Sequence, residues 1–454
     1  MISDAFSLPR VTVLAAALGL LAACGGGGDG SDSAPLPGDS ACQTQALNST
    51  LASYFSRDYF WAGVSPRPDP AAFTETEAFF QASLYTGTDP RFPADRYSGS
   101  QTSESFNRFY GEGESLGYGV SVAGLEVLDQ PSAPLYVRYV EARSPAALAG
   151  VTRGDQVLAL NGRSAADVVA ANDFAALTAT AEGQTLTMRL RAPGGAEREA
   201  SLRAAVFVLT PVSQPAQVST AQGRRVGYVQ VKDMISGVTA PLDAAFSQFR
   251  ASATQDLVLD LRYNGGGLVS AGRNVASFAA AGREGQVYAQ LVYNAQQSAR
   301  NELFRFSPPA SALALPRVYL LMGQRTCSAS EQLINGLQGV GVDVVTIGDT
   351  SCGKPVGFVP VQRCGRTYSV VNFESLNARG EGRYFDGFVP RCAVPEDFTR
   401  PQGQPGDPLL DAALAHADSG QCSAQATAGG APLKRSQRGG GPPEPGERQG
   451  MFVR

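Results

Sequence analysis

The hydrophobic pattern changes twice along the chain. Between Ala41 and Tyr110 apolar residues recur at helical spacing (Leu47, Leu51, Tyr54, Phe55, Tyr59, Phe60). This predicts one helix, with a second over Thr74–Leu84 and a break at Pro66, Pro68 and Pro70. From Gly113 to Val206 the period shortens to two, in short runs bounded by turn residues: Gly117–Val122, Leu135–Val140, Gln156–Leu160 and Leu186–Leu190. Beyond Arg224 the apolar runs become continuous. Arg224–Val231, Asp256–Leu261, Arg317–Gly323 and Val342–Gly348 each read as a strand buried on both faces. Helical stretches separate them, at Leu242–Phe249, at Leu268–Ala280 and from Ser328-Ala329-Ser330-Glu331 onward. Strand, helix, strand at this length is a βαβ unit, with parallel strands and a right-handed crossover. A strand over Tyr368–Phe373 and a helix over Asp407–Ala417, ending at Gly420, follow. Ser423–Arg454 is rich in Gly, Pro and Arg and is predicted to be disordered.

The pattern divides the chain into a helical region over residues 41–112, a β domain over 113–206, an α/β core over 207–422 and a tail over 423–454. The fold class is multidomain, α/β together with α+β. Residues 1–24 form a targeting segment: Arg10, the apolar run Val11–Leu21, then Leu21-Ala22-Ala23-Cys24. The apolar run is too short to span a membrane. Its ending resembles the lipobox of bacterial lipoproteins, which implies lipidation of Cys24 and an envelope location on the periplasmic face. Gly25 after the cysteine, where inner-membrane lipoproteins often carry Asp, points to the outer membrane. Residues 25–40 then act as a flexible tether.

Composition narrows the chemistry. The chain has 454 residues, a net charge of −4 and no basic cluster, which excludes a nucleic-acid footprint. Lysine occurs only at 232, 354 and 434, and histidine only at 416. Without Cys24, six cysteines remain, an even number that in an exported chain implies disulfides. Cys327 and Cys352 lie at one sheet edge and are paired first; Cys364 with Cys392 and Cys42 with Cys422 follow by elimination. No close CxxC and no suitably placed histidine accompany them, so no metal and no cofactor are expected.

Ser328 leaves the carboxyl end of one core strand and Lys354 the carboxyl end of the next, the edge where open α/β sheets collect chemistry. Ser-x-x-Glu is also a capping box, with Ser328 as N-cap and Glu331 at N3, and Ser330 competes for the role of nucleophile. His416 sits in a polar helix near the tail, which removes a Ser-His-Asp arrangement. Lys354, among Gly353, Pro355, Val356, Gly357 and Phe358, can serve as base if burial lowers its pKa. The N–H of Ala329 and the turn Gly265-Gly266-Gly267, with Gly266 or Gly267 nearest, are the candidate oxyanion donors.

Two resemblances follow from these motifs. Arg143–Gly162 (RSPAALAGVTRGDQVLALNG), with Leu116-Gly117-Tyr118-Gly119 ahead of it, resembles a PDZ domain. It implies that these four residues hold a peptide's terminal carboxylate on converging N–H groups, while the peptide adds as a strand to the sheet edge. Asp260-Leu261-Arg262-Tyr263-Asn264-Gly265-Gly266-Gly267, Ser328-Ala329-Ser330-Glu331 and Gly353-Lys354 are similar to the DLRxNxGG, SASE and GK motifs of the C-terminal processing (tail-specific) serine peptidases. That resemblance covers about residues 90–395 and implies a ClpP/crotonase-like core. It also implies a Ser328–Lys354 dyad and endopeptidase activity on proteins recognised by their C-termini. Two positions depart from the family pattern: Gly339 where many members carry Asp, and Phe358 where many carry Gln. They leave a second expectation open, a catalytically weak, peptidase-like lipoprotein that binds peptides or an apolar ligand. An esterase of the α/β-hydrolase type lacks both a placed histidine and a G-x-S-x-G motif.

Overall fold

The computed structural model describes residues 40–123, 134–171, 173–423 and 450–453. The targeting segment, Cys24, the tether and most of the expected tail lie outside the described residues. Helices α1 (Thr44–Asp58) and α2 (Thr76–Ala82) form where the spacing predicts them. They have no core of their own. Leu47, Leu51, Phe55, Phe79 and Phe80 join the same buried cluster as Val229, Leu259, Leu320 and Leu333. The segment is therefore a cap on the α/β core. It also contributes a strand, β1 (Gly99–Thr102), that pairs antiparallel with residues 366–369.

The β domain contains β2 (Glu114–Gly117), β3 (Val120–Ala123), β4 (Leu135–Val140), β5 (Gln156–Leu160), helix α3 (Ala165–Ala171), β6 (Thr185–Arg191), β7 (Glu197–Arg203) and β8 (Ala205–Val208). Strands β3 to β7 form one sheet in sequential order, and β2 pairs with β8. Along β6 the buried residues are Leu186, Met188 and Leu190, the period of two legible in the sequence. The single run expected over Gly117–Val122 is instead two strands. Tyr118-Gly119 turns the chain from its pairing with β8 to its pairing with β4.

The α/β core comprises β9 (Val212–Ser219), β10 (Arg225–Val231), α4 (Thr239–Ala251), β11 (Asp256–Asp260), β12 (Gly266–Leu268), α5 (Val269–Phe278), β13 (Val287–Tyr293), β14 (Glu302–Arg305), β15 (Arg317–Met322), α6 (Ala329–Gly339), β16 (Asp343–Gly348), β17 (Val356–Phe358), β18 (Val361–Arg363), β19 (Arg366–Ser369), β20 (Val371–Leu376), β21 (Cys392–Ala393) and α7 (Pro408–Ser419). The main sheet has the order β9-β10-β11-β15-β16-β21, parallel except for β9. One face buries Phe246, Val275, Leu333 and Leu337 from α4, α5 and α6 against Leu257 and Leu320. The other buries Leu409, Leu410 and Ala413 of α7 against Tyr228, Tyr319 and Val345. Asp407 caps α7 by accepting the Leu409 N–H, and Gly420 ends it in the left-handed conformation. Met322 stands opposite Gly348 in the register, so β15 and β16 end together and their following turns emerge at one edge. A second sheet, which includes β12, β17, β20, β13 and β14, closes over that edge. Among the described residues no helix is long and apolar enough to cross a membrane.

The disulfides correct two of the three expected pairs. Cys327–Cys352 is present, but the others are Cys42–Cys364 and Cys392–Cys422, not Cys364–Cys392 and Cys42–Cys422. The cause is the position of the cap. Tyr54 of α1 donates to the Val359 carbonyl at 3.0 Å, so the chain entering α1 lies beside the β18–β19 hairpin whose turn carries Cys364. Cys392 in β21 is left with the chain that leaves α7. The tail is corrected as well, because residues 450–452 form a strand, β22 (Gly450–Phe452), within the second sheet. Non-reducing peptide mapping should recover Cys42–Cys364 and Cys392–Cys422; recovery of a Cys364–Cys392 peptide would refute this docking of the cap.

Candidate functional site

The turn after β15 is tied to the turn after β11. Thr326 Oγ1 donates to the Leu261 carbonyl at 2.8 Å, and the Cys327 N–H donates to the Asn264 carbonyl at 3.1 Å. Ser328 follows at φ 59° and ψ −112°, a strained conformation for a residue with a side chain, before α6 begins. The Glu331 carboxylate accepts the Ser328 N–H at 2.9 Å, so the helix holds the turn in place. Ser328 is 0% exposed, and among the described residues its Oγ has no hydrogen-bond partner. Ser328 and Glu331 take the N-cap and N3 places of the predicted capping box, but the Glu331 bond is the one with full hydrogen-bond geometry, which leaves the hydroxyl available for chemistry. Ser330, the competing hydroxyl, donates to the Asn264 carbonyl at 3.0 Å.

Glu331 also organises the turn after β16. Its oxygens accept the Gly353 N–H at 2.7 Å, the Lys354 N–H at 2.8 Å and the Ser351 hydroxyl at 2.6 Å. One carboxylate thus fixes the backbone of Ser328 and of Lys354 together, and the Cys327–Cys352 disulfide spans the same two turns with Cα atoms 5.2 Å apart. Burial pushes the Glu331 carboxyl up, and its four donors oppose that shift. Gly353 sits at φ 81°, where a Cβ would lie 2.2 Å from the Phe385 carbonyl, so only glycine fits.

Lys354 is 3% exposed. Burial lowers its pKa to about 7, against the opposing pull of Asp95 and Glu331. Its Nζ lies 4.3 Å from the centre of the Phe358 ring and 5.7 Å from that of Tyr97. Phe358, a departure from the family pattern, therefore supplies an apolar support for the amine. The other departure, Gly339, packs so that a Cβ would meet Asn377 at 2.8 Å, which leaves no room for Asp.

The glycine turn supplies backbone donors at the same edge. The Gly266 N–H donates to Asn264 Oδ1 at 2.9 Å and is consumed, which corrects its expected role as an oxyanion donor. The Gly266 carbonyl and the Leu268 N–H both bond to Met234, so Gly267 turns its N–H to the opposite edge of β12. Gly267 has φ 144°, and a Cβ there would stand 2.2 Å from the Met234 carbonyl. Ala329 is the first residue of α6, and its N–H belongs to a first turn that has no partner within the helix. Ala329 and Gly267 are the candidate donors left by α6 and by the Met234 pairing, the Gly267 N–H lying on the edge of β12 that pairs with β22.

Several positions acquire a role that local pattern does not reveal. Tyr97 of the cap donates to the Gly353 carbonyl at 2.8 Å, and Asp95 accepts from Tyr59 and Ser98 at 2.6 Å each, so the cap forms one wall of the site. The sequence signal was only the polar group Asp95-Arg96-Tyr97-Ser98 at the end of the helical region. Asn264 joins the glycine turn to the Ser328 turn through its carbonyl and its side chain. His416 lies across the sheet on α7, paired with the Tyr319 hydroxyl at 3.2 Å, on the face opposite α6. Leu116 and Gly117 fall in β2, and the Tyr118 and Gly119 carbonyls accept N–H groups of Ala146 and Glu141 at 2.9 Å. The loop lines a cavity of about 130 Å³ together with Glu141, Lys232, Tyr263 and Gly265, between the β domain and the glycine turn. Arg153 of the β domain donates to the Tyr263 hydroxyl at 2.7 Å and to Glu396 at 2.9 Å, which fastens the two units beside that turn.

Residues 225–369 match peptidase family S41, and residues 136–191 match a PDZ domain. A carboxyl-terminal-processing protease of Picosynechococcus sp. is 27% identical over 213 residues, 46% of this chain and 48% of the relative. The carboxy-terminal processing protease CtpB of Bacillus subtilis is 25% identical over 272 residues, 59% of this chain and 54% of the relative. The chain spans about half the length of these curated relatives. Among solved structures, a putative S41 protease from Bacteroides fragilis superposes with a TM-score of 0.65 at 25% identity, covering 82% of this chain and 97% of the other. The photosystem II D1 C-terminal processing protease superposes with a TM-score of 0.51 at 19% identity, over 78% of this chain and 93% of the other. The core over residues 225–369 is thus similar to peptidase family S41, and the β domain to a PDZ domain.

Glu331→Gln keeps the volume but turns an NH₂ group towards N–H donors. It should lower unfolding free energy by about 2–4 kcal/mol in denaturant titrations; a change below about 0.5 kcal/mol would show that the carboxylate does not hold the two turns.

Proposed function

We propose that the protein is a serine endopeptidase of the cell envelope that acts on proteins or peptides recognised by their C-termini. Ser328 is the nucleophile and Lys354 the base. The observation that carries this reading is the joint hold of Glu331 on the Ser328 and Lys354 backbones, with the lysine amine buried against Phe358. Ser328 Oγ attacks the scissile carbonyl carbon and passes its proton to Lys354 Nζ. The N–H groups of Ala329 and Gly267, with the amino end of α6, receive the developing oxyanion. The Lys354 ammonium then protonates the leaving amine, and water activated by the same lysine hydrolyses the acyl-enzyme. The PDZ loop over Leu116, Gly117, Tyr118 and Gly119 captures the substrate's end, supported by its place beside the glycine turn. Lipidation at Cys24 anchors the chain at the periplasmic face, with the outer membrane as the membrane that Gly25 favours.

Purified protein incubated with a protein that ends in an apolar tail should degrade it, and Ser328→Ala and Lys354→Met should each lose all measurable turnover. Equal degradation by the parent and Ser328→Ala, or by neither even when both chains are truncated after Gln449, would refute the reading. Only neutral Lys354 accepts a proton, and its pKa is lowered to about 7. kcat/KM should therefore fall about tenfold per pH unit below that value and level off above it. A rising limb centred near the ordinary lysine value of 10.5 would contradict it. Gly267→Ala keeps the N–H but sets a Cβ 2.2 Å from the Met234 carbonyl, so the turn must shift and misaim that donor; kcat should fall by about 10²–10³, the typical loss of one oxyanion donor, and an unchanged kcat would remove Gly267 from the mechanism.

A further inference from the structure

Strand β22, from the far end of the sequence, is paired between the two candidate catalytic segments. On one side it runs parallel to β12, with Gly450 opposite Gly266, Met451 opposite Gly267 and Phe452 opposite Leu268. On the other, Phe452 pairs in parallel with Phe358, four residues after Lys354. Because Gly266 and Leu268 spend their groups on Met234 and Asn264, this register aims the Gly267 N–H at the Gly450 carbonyl. The side chains are seated as well. Met451 is buried with Val269, Leu291, Tyr293 and Phe373, and its Sδ accepts from Gln332 Nε2 at 3.4 Å, one turn along α6 from Ser328. The Phe452 ring packs against Tyr110, Phe358 and Phe106, with centroids 4.7, 5.3 and 5.4 Å away. Val453 opens onto a cleft of about 880 Å³, also lined by Tyr293, Arg300 and Gln362.

We propose that the slot between β12 and β17 is a binding site for a peptide strand with two adjacent apolar residues, and that residues 450–453 fill it in cis as an internal competitor. The Gly450 carbonyl takes the donor that a substrate carbonyl would need, and the strand closes the site over the buried Ser328. The competitive role rests on the peptidase reading above; the strand site itself does not. A tethered segment acts at an effective concentration on the order of mM, so a free peptide at micromolar concentration is excluded until the segment leaves.

The test uses the Ser328→Ala protein, which removes cleavage, in three forms: unaltered tail, truncation after Gln449, and full length with Met451→Glu and Phe452→Glu. The probe is a fluorescently labelled peptide with the sequence of residues 449–454, followed by anisotropy. The truncated and doubly substituted forms should bind it about tenfold or more tightly than the form with the unaltered tail. Equal affinity in all three forms, or no binding to any, overturns the proposal. The doubly substituted form keeps the chain length, so a folding defect in the truncated form does not decide the result. If binding follows the expected order while the Ser328 protein truncated after Gln449 cleaves nothing, the peptidase reading fails and the strand site stands.

Discussion

The site depends on one buried carboxylate. Glu331 accepts the Ser328 N–H from its own helix and the Gly353 and Lys354 N–H groups from the next turn. Two loops that belong to different strands therefore cannot move separately. Without that acceptor, three buried N–H groups and the Ser351 hydroxyl would lose a partner at once, each at a cost of about 1–3 kcal/mol. The same burial that makes this network costly to break also lowers the Lys354 pKa, and it outweighs the nearby charges of Asp95 and Glu331. Geometry and reactivity at the site share a single cause, the exclusion of water from one edge of the main sheet.

That exclusion is a product of three parts of the chain. The second sheet closes over the edge, the cap contributes Tyr97 and Asp95, and β22 lies in the remaining slot. The cap has no separate core and is clamped by Cys42–Cys364 beside the β18–β19 hairpin. It should be counted as part of the site rather than as an accessory domain. The two departures from the family pattern then become local solutions. Phe358 packs against the Lys354 amine where the motif pattern has Gln, and Gly339 is fixed by its contact with Asn377.

The βαβ unit, the parallel edge, Ser328, Lys354 and the glycine turn were legible because each is written in a short, contiguous pattern. What was not legible is non-local. Glu331 reads as an ordinary N3 capping residue, and nothing in its neighbourhood shows that it also serves residues 351–354. Tyr97 and Asp95 lie some 250 residues before Lys354 in the sequence and meet it only through the fold. Six cysteines leave the disulfide pairing undetermined, and elimination failed because the path of α1 was unknown. The Gly-rich composition of the tail concealed a three-residue strand, whose only trace was Met451-Phe452 in a polar context.

A Ser328–Lys354 dyad requires that burial hold Lys354 neutral near physiological pH. The chain has only three lysines, so ¹³Cε-lysine labelling gives a spectrum in which Lys354 is assigned by its loss in Lys354→Met. A Lys354 signal that titrates at about pH 7 is the outcome this account requires. A Lys354 signal that titrates near the ordinary lysine value of 10.5 would contradict it.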